Sequence, residues 1–281
     1  MAIYLNAYEL VEEVRYGLND HSTDKVTGTD TSGSFQNADI LKHINDSQRY
    51  HYGIIFKRSP ELFLTDTTVS MSDSTGTLPT DFFKLRRLEN SEGTKLHLIS
   101  LDAKSPANYG GEEYLYYRYG NTIRCDASGF SDTLTLWYYT RCRDITMGQA
   151  AAGAAKSITL ATAARKEADY YNGMEIENIT QDWVDTISDY SAARVATLSA
   201  ETAAASDYYG IVSELPEFFH HLIAPKAILN MKSLPQSPVQ PNAVEYKNYQ
   251  DMLIEAVRSY CGTLDGDITM EDIMYDFGTY M

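Results

Sequence analysis

Apolar residues recur at three- and four-residue steps near both ends of the chain and at two-residue steps through its middle. Ala7, Leu10, Val11, Val14 and Leu18 form one stripe, and Asn6 followed three residues later by Glu9 has the spacing of a capping box, which predicts a first helix. Residues 19–37 are polar and glycine-containing without a period and read as a loop. A second helix is predicted from Ala38 to about Lys57, with Ile40, Leu41, Ile44, Gln48, His51 and Ile55 on one side and Ser59-Pro60 at its end.

From Glu61 to about Arg143 the period changes to two. Val69 and Met71, Leu96 and Leu98, Leu115, Tyr117 and Tyr119, and Leu134, Leu136 and Tyr138 alternate with polar residues, and Gly120-Asn121 has the composition of a two-residue hairpin turn. An antiparallel meander is the expectation. Residues 147–157, MGQAAAGAAKS, are small and featureless. After them Ile158 and Leu160, Met174 and Ile176, and Trp183, Ile187, Val195 and Leu198 mark candidate strands, with Asn172-Gly173 as a turn, predicting a second small sheet with one apolar and one wet side.

Helical spacing then returns. Pro216 suits a first helical position, and Phe218, Phe219, Leu222, Ile223, Ile228, Leu229 and Met231 make a broad apolar face, which Pro225 is expected to kink or divide. A fourth helix is predicted from about Asn242 to Tyr260, carrying Tyr246, Tyr249, Leu253, Ala256, Val257 and Tyr260 on one flank. The last twenty residues hold five acids, no base and the alternation Ile273, Tyr275, Phe277, as in an extended tail. Helices this short and one-sided need partners, so the two pairs are expected to pack on each other. The fold class expected is α+β: a discontinuous antiparallel bundle of about four helices with a large antiparallel β insertion and an extended C-terminal tail. Its parts are residues 1–60 and 214–261 (helical bundle), 61–146 (β meander), 147–213 (small β module) and 262–281 (tail).

Charge narrows the functions. Among 281 residues, 39 Asp and Glu stand against 23 Lys and Arg, a net of −16, which opposes a surface that binds nucleic acid by neutralising phosphates. No apolar run approaches a membrane span, and the first residues carry acids where a signal peptide carries bases, so cytoplasmic synthesis and no membrane partner are expected. Cys125, Cys142 and Cys261 are odd in number and widely spaced, the pattern of buried free thiols.

Candidate chemistry is sparse. His220 and His221 are the best metal pair, but neighbours on a helix point about 100° apart, unlike HExxH. His43 and His51 fit as stripe or flank residues. Asp265 and Asp267 start like a calcium loop, yet Thr269 and Glu271 fall at the wrong places. Glu175 and Glu177 share one face of a strand, and GxSxG, GxGxxG and GxxxxGK[ST] are absent. No catalytic residue, cofactor site or metal site is expected, nor an enzyme. The 22 tyrosines read mainly as core, with Tyr114, Tyr116, Tyr119, Tyr275 and Tyr280 as candidates for contact.

Residues 39–89, from Asp39 through the element Leu78, Pro79, Asp81, Phe82, resemble the opening of the head-to-tail adaptor (connector) proteins in the neck of tailed phages. Residues 158–198, marked by Asp169, Tyr170, Asn172, Gly173, Ile187, Asp189 and Tyr190, are similar to a small β module of phage structural proteins, with Gln181-Asp182-Trp183 where that module usually has glycines. LPEFFHHLIAPKAIL resembles the third helix of the same adaptors. The resemblance implies a virion structural protein at the neck, a homo-oligomeric ring, commonly a dodecamer, docked beneath the portal protein and bearing tail or nozzle proteins. Genomic DNA would pass through the lumen without tight binding. The tail residues Ile273, Tyr275, Phe277 and Tyr280 are the expected docking residues, on the portal or on a neighbour. The alternatives are a tail-tube or collar subunit and a fibre-associated carbohydrate-binding virion protein.

Overall fold

The computed structural model describes residues 5–20, 35–99, 115–125, 130–235, 237 and 240–261. It is a mixed α+β protein with, among the described residues, four helices and several largely antiparallel sheets, and the chain divides into two compact units, Met1–Ser59 with Cys142–Met281, and Pro60–Arg141. The expected tail and residues 21–34 of the expected loop lie outside the described residues.

In the first unit, α1 (Ala7–Gly17) opens with the capping box: Asn6 Oδ1 accepts from the amides of Tyr8 (2.8 Å) and Glu9 (3.0 Å), and Glu9 reaches back to the Asn6 amide. Ala7, Leu10, Val11 and Val14 are buried, as their spacing requires. Arg15, in the last turn, is buried and bonds Asn37 Oδ1 through Nε (3.0 Å), the Phe35 carbonyl (3.2 Å) and Asp20 (2.9 Å), tying α1 to the start of α2 (Asn37–Arg58). Further along come α3 (His220–Lys232) and α4 (Ala243–Cys261), the latter under a second capping box of Asn242 and Glu245. Helix α3 touches the other three.

Two local expectations fail in α3. Pro216 precedes a single 3-10 turn, Glu217–Phe219, and the α-helix begins at His220. Pro225 does not divide the helix. A mid-helix proline costs about 3 kcal/mol. Burial of Leu222, Ile223, Leu229 and Met231, at roughly 1.5–3 kcal/mol per large apolar side chain, outweighs it.

The same unit holds a six-stranded antiparallel sheet made from β8 (Met147–Gln149), β9 (Ala152–Thr159), β10 (Glu175–Asn178), β11 (Trp183–Tyr190), β12 (Val195–Thr202) and β13 (Tyr208–Ile211), in the order β8-β13-β10-β11-β12-β9. Its two edges, β8 and β9, are consecutive in the chain, so the sheet must curl into a half-barrel. The segment 147–157, featureless by its composition, therefore forms two strands. Small residues are what the curl demands: a Cβ on Gly148 would stand 2.7 Å from Ala161 Cβ, and one on Gly153 2.5 Å from the Ala203 carbonyl carbon. Ile158, Ile176, Ile187, Ala196 and Leu198 point inward with Tyr171, Tyr190 and Tyr209. Tyr171 meets Tyr170 and Tyr190 edge-on at 4.9 and 4.8 Å. The turn lacking its glycines is held by Asn178, whose Oδ1 accepts from Thr180 and Gln181 amides at 3.0 Å, while Asp182 adopts φ 56°.

The module expected as a separate part, 147–213, lies in one compact unit with the helices. The face of β10 and β13 opposite the tyrosines is not simply wet, because α1 sits on it: Asn6 bridges to Val212 and its Nδ2 donates to Glu177 (2.6 Å). Gly210 allows that approach, since a Cβ there would stand 2.9 Å from the Tyr8 amide nitrogen and closer still to Asn6.

In the second unit, β1 (Leu64–Ser70), β7 (Thr133–Thr140) and β3 (Phe82–Glu89) form one sheet in the order β1-β7-β3, and β2 (Thr75–Thr77), β6 (Thr122–Cys125), β5 (Leu115–Tyr119) and β4 (His97–Leu98) form another in the order β2-β6-β5-β4. Val69, Leu78, Leu88, Ile123, Leu134 and Leu136 share the core between them. The expected hairpin at Gly120-Asn121 is present, with Gly120 at φ 58°, but the expected meander is not: the β7 strand inserts between β1 and β3, and β4 pairs parallel with β5.

Gly210→Ala should lower stability by about 1–3 kcal/mol, read from the urea midpoint. An unchanged midpoint would show that α1 does not rest on β13.

Candidate functional site

Where the chain returns from the β excursion, residues 142–146 make bonds to α2, to the curled sheet and its loops, and to the segment before α3. Arg143 is buried, with 5% of its side chain exposed, and its fork grips Glu214: Nε donates to Oε2 at 2.9 Å and Nη2 to Oε1. Nη1 donates to the carbonyls of Tyr170 (3.0 Å) and Asn172 (2.7 Å). The Asp144 amide donates to the Tyr170 hydroxyl (2.8 Å), and its carboxylate pairs with Arg49 and Arg165. Asn45 of α2 makes a two-way bridge to Ile145, accepting from its amide at 2.9 Å and donating to its carbonyl at 3.1 Å. These bonds join α2, the curled sheet and the segment leading to α3.

Two histidines, His220 and His51, are held by the packing. His220 Nδ1 accepts from the Leu5 amide (3.1 Å) and Nε2 donates to the Leu215 carbonyl (2.8 Å), which defines a neutral ring. His51 is fully buried with Nε2 2.9 Å from the Tyr249 hydroxyl, joining α2 to α4, and Lys226 of α3 lies 4.8 Å above the Tyr50 ring. Burial, followed by the nearby Lys226 charge, pushes the His51 pKa down to about 3. Burial likewise lowers those of His220, His221 and His43. Among the described residues no group of three or more His, Cys, Asp or Glu is placed to hold a metal ion. Burial raises the thiol pKa of Cys125 to about 11 and of Cys142 to about 12, so neither ionises near neutral pH.

Besides a cleft of about 570 Å³ along α4, lined by Asp251, Ile254, Glu255, Arg258 and Ser259, two clefts among the described residues open in this unit. One, of about 730 Å³, is lined by Met174, Glu175, Glu214, Glu217, Phe218 and Tyr260 and is acidic. The other, of about 500 Å³, lies between α2 and residues 161–171, with Leu41 and Ile145 in its floor and Lys42, Arg49, Arg165 and Lys166 around it. It is a concentration of bases in an acidic chain, and no sequence motif announces it, because its two halves are more than a hundred residues apart.

Of the residues singled out from sequence, Ile273, Tyr275, Phe277 and Tyr280, with Tyr114, Asp265 and Asp267, lie outside the described residues. Tyr116 is buried and Tyr119 is 57% exposed. Glu175 is exposed, whereas Glu177 bonds Asn6. Among the described residues no helix is long and apolar enough to cross a membrane. Compared with known proteins, the chain matches no family model and no curated protein.

Arg143→Met should destabilise the fold by about 1–3 kcal/mol, because the Tyr170 and Asn172 carbonyls lose their donor and the half-exposed Glu214 loses its partner, and adding Glu214→Leu should restore only the part due to the ion pair. Chemical denaturation of the two single variants and the double variant measures this, and equal stability of Arg143→Met and wild type would remove the pair from its structural role.

Acid should weaken the helix layer. The folded chain holds His51 neutral, with a pKa of about 3 against an ordinary 6.5, whereas the unfolded chain takes up a proton. Stability is therefore complete above pH 6.5 and is lost as pH falls toward 3, by roughly 1.4 kcal/mol per unit from this residue. His51→Phe should show a shallower decline between pH 7.5 and 4.5, and a decline parallel to wild type would reject the assignment.

Proposed function

We propose that the protein is a structural head-to-tail adaptor of a tailed-phage virion, without catalysis, forming a homo-oligomeric ring beneath the portal that continues the DNA channel and offers tail or nozzle proteins an attachment site. The observation that carries this reading is the arrangement of the chain: helices from its two ends pack together in one unit, while residues 60–141 form a second compact unit. Such a plan supplies a helical bundle for a ring wall and β parts for contacts with neighbours. Two of the side chains singled out from sequence are occupied with packing, His51 with Tyr249 and His220 with Leu5 and Leu215.

Charge supports the same reading. A dodecamer of a −16 subunit is a strongly acidic ring, past which DNA slides without adhering. The tail residues Ile273, Tyr275, Phe277 and Tyr280 act in assembly. A sugar-binding virion protein has less support: of the described tyrosines in the second unit, Tyr116, Tyr117, Tyr138 and Tyr139 are buried and Tyr119 alone is exposed.

Mixing the purified protein with its portal should give rings attached to portal particles in electron micrographs. Persistent monomers that leave the portal bare would reject the adaptor reading. Removing residues 262–281 should leave the thermal midpoint intact while weakening ring attachment by roughly tenfold or more, and undiminished attachment would free the tail of any role.

A further inference from the structure

We propose that the acidic segment 262–281 of one copy docks in the basic cleft between α2 and residues 161–171 of the next copy, linking subunits head to tail. The cleft has about 500 Å³ of space, an apolar floor that includes Leu41 and Ile145, and four cationic side chains, Lys42, Arg49, Arg165 and Lys166, around it. All four are exposed. Arg49 and Arg165 converge on Asp144, which fixes the two guanidinium groups beside the opening. No salt bridge of Lys42 or Lys166 occurs among the described residues, so both charges are available to a ligand.

The chain itself contains the complementary ligand. Residues 262–281 carry Asp265, Asp267, Glu271, Asp272 and Asp276 and no base, interleaved with Ile268, Met270, Ile273, Tyr275 and Phe277. Acids for the rim and apolar side chains for the floor are interleaved along the segment, with strict alternation of the apolar ones at Ile273, Tyr275 and Phe277, a composition that suits an apolar-floored, basic-rimmed cleft.

The place where the described chain ends favours a neighbour's cleft over its own. Helix α4 runs antiparallel to α3: Glu245 pairs with Lys232 at 2.6 Å near one end, and Tyr260 packs on Phe218 and Phe219 at the other. The segment after Cys261 therefore leaves at the start of α3. It leaves beside the acidic cleft, whose Glu175 and Glu217 repel an acidic chain. The basic cleft flanks the first half of α2, whose Asn37 is held by Arg15 near the C-terminal end of α1, and there Gly17 meets Ile228 in the second half of α3. The acidic cleft, lined by Tyr260 and also by Gly173 and Glu214 next to the Arg143 knot, thus stands between the exit and the chain's own basic cleft, which Asp144 and Tyr171 line. A contact of this kind is heterologous and propagates into a closed ring or a filament.

The inference supplies the subunit contact for the ring of the proposed function, and its test needs no portal. Two variants are mixed: a full-length chain with Lys42→Glu and Lys166→Glu, which keeps its tail and loses its receptor, and a chain truncated after Cys261, which keeps its receptor and loses its tail. Sedimentation should find each one monomeric alone and a one-to-one complex in the mixture. A labelled peptide of residues 262–281 should bind the truncated chain, and bind the truncated Lys42→Glu, Lys166→Glu chain at least tenfold more weakly, with affinity falling as salt is raised. Circular dichroism of both variants checks that the fold is kept, and if the lysine pair fails that check, Lys42→Gln with Lys166→Gln replaces it. No complex in the mixture, or peptide binding indifferent to the lysines, overturns the inference. Complex formation together with a bare portal would retain this contact and reject the adaptor, while portal-bound rings from the lysine variant would do the reverse.

Discussion

The first unit depends on one charge pair, between a buried arginine and a half-exposed glutamate. Arg143 stands just after the chain leaves the 60–141 unit, Glu214 stands just before α3, and between them run the seventy residues of the curled sheet. Burying a guanidinium is tolerable only when its donors are met, and here the fork meets both carboxylate oxygens and two carbonyls. A lysine would keep the charge but not the planar fork, so it could not hold the carboxylate and the Tyr170–Asn172 turn together. The pair therefore closes the sheet segment as a loop anchored at both ends on the helix layer.

Once that loop is closed, the sheet has little freedom. Its two edge strands are joined by Ala150 and Ala151 alone, so it must curl, and the curl encloses Tyr171, Tyr190 and Tyr209. Their hydroxyls need partners, and they find them along one loop: Tyr209 accepts from the Ala161 amide at 2.9 Å, Tyr171 from the Arg165 amide at 3.3 Å, and Tyr190 donates to the Arg165 carbonyl at 2.5 Å. The loop 161–165 is thus shaped from beneath by the tyrosine core. That is why Arg165 stands rigidly enough at the rim of the basic cleft to share Asp144 with Arg49 of α2.

What was legible in the chain was local. The capping box at Asn6, the stripes of α1, α2 and α4, the turn at Gly120-Asn121 and the strands with strong apolar contrast all rest on neighbours within a few residues. Strands β8 and β9 were not legible, because alanine and glycine give no contrast between faces, and the reason for those residues is the close approach of Ala161 and Ala203 from elsewhere in the chain. The order β1-β7-β3 was hidden for a related cause: period two announces a strand but not its partner, and β7 joins β1 from about seventy residues away. Pro225 misled in the other direction, since a local breaker is overridden when both sides of the helix are buried. The candidate site was the least legible of all. Neither the Arg143–Glu214 pair nor the basic cleft has any spacing by which sequence could join its halves.

The distribution of charge then follows from the packing. An acidic chain tolerates a cluster of bases only if something else sets their positions, because free lysines and arginines would collapse onto the nearest carboxylates. In the cleft, Asp144 is fixed by the hydrogen bond from its amide to the Tyr170 hydroxyl, and it pairs with two arginines at once, one of which, Arg49, also pairs with Asp46, while the lysines are carried on separate elements, one on α2 and one on the 161–171 loop. Other acids of the unit are held elsewhere: Glu214 by Arg143, Glu245 by Lys232, Asp207 by Asn178 and Gln181. Positive charge is thus left standing on a surface whose surroundings are negative, and the field there favours an acidic segment presented from outside over any carboxylate the described fold keeps within reach.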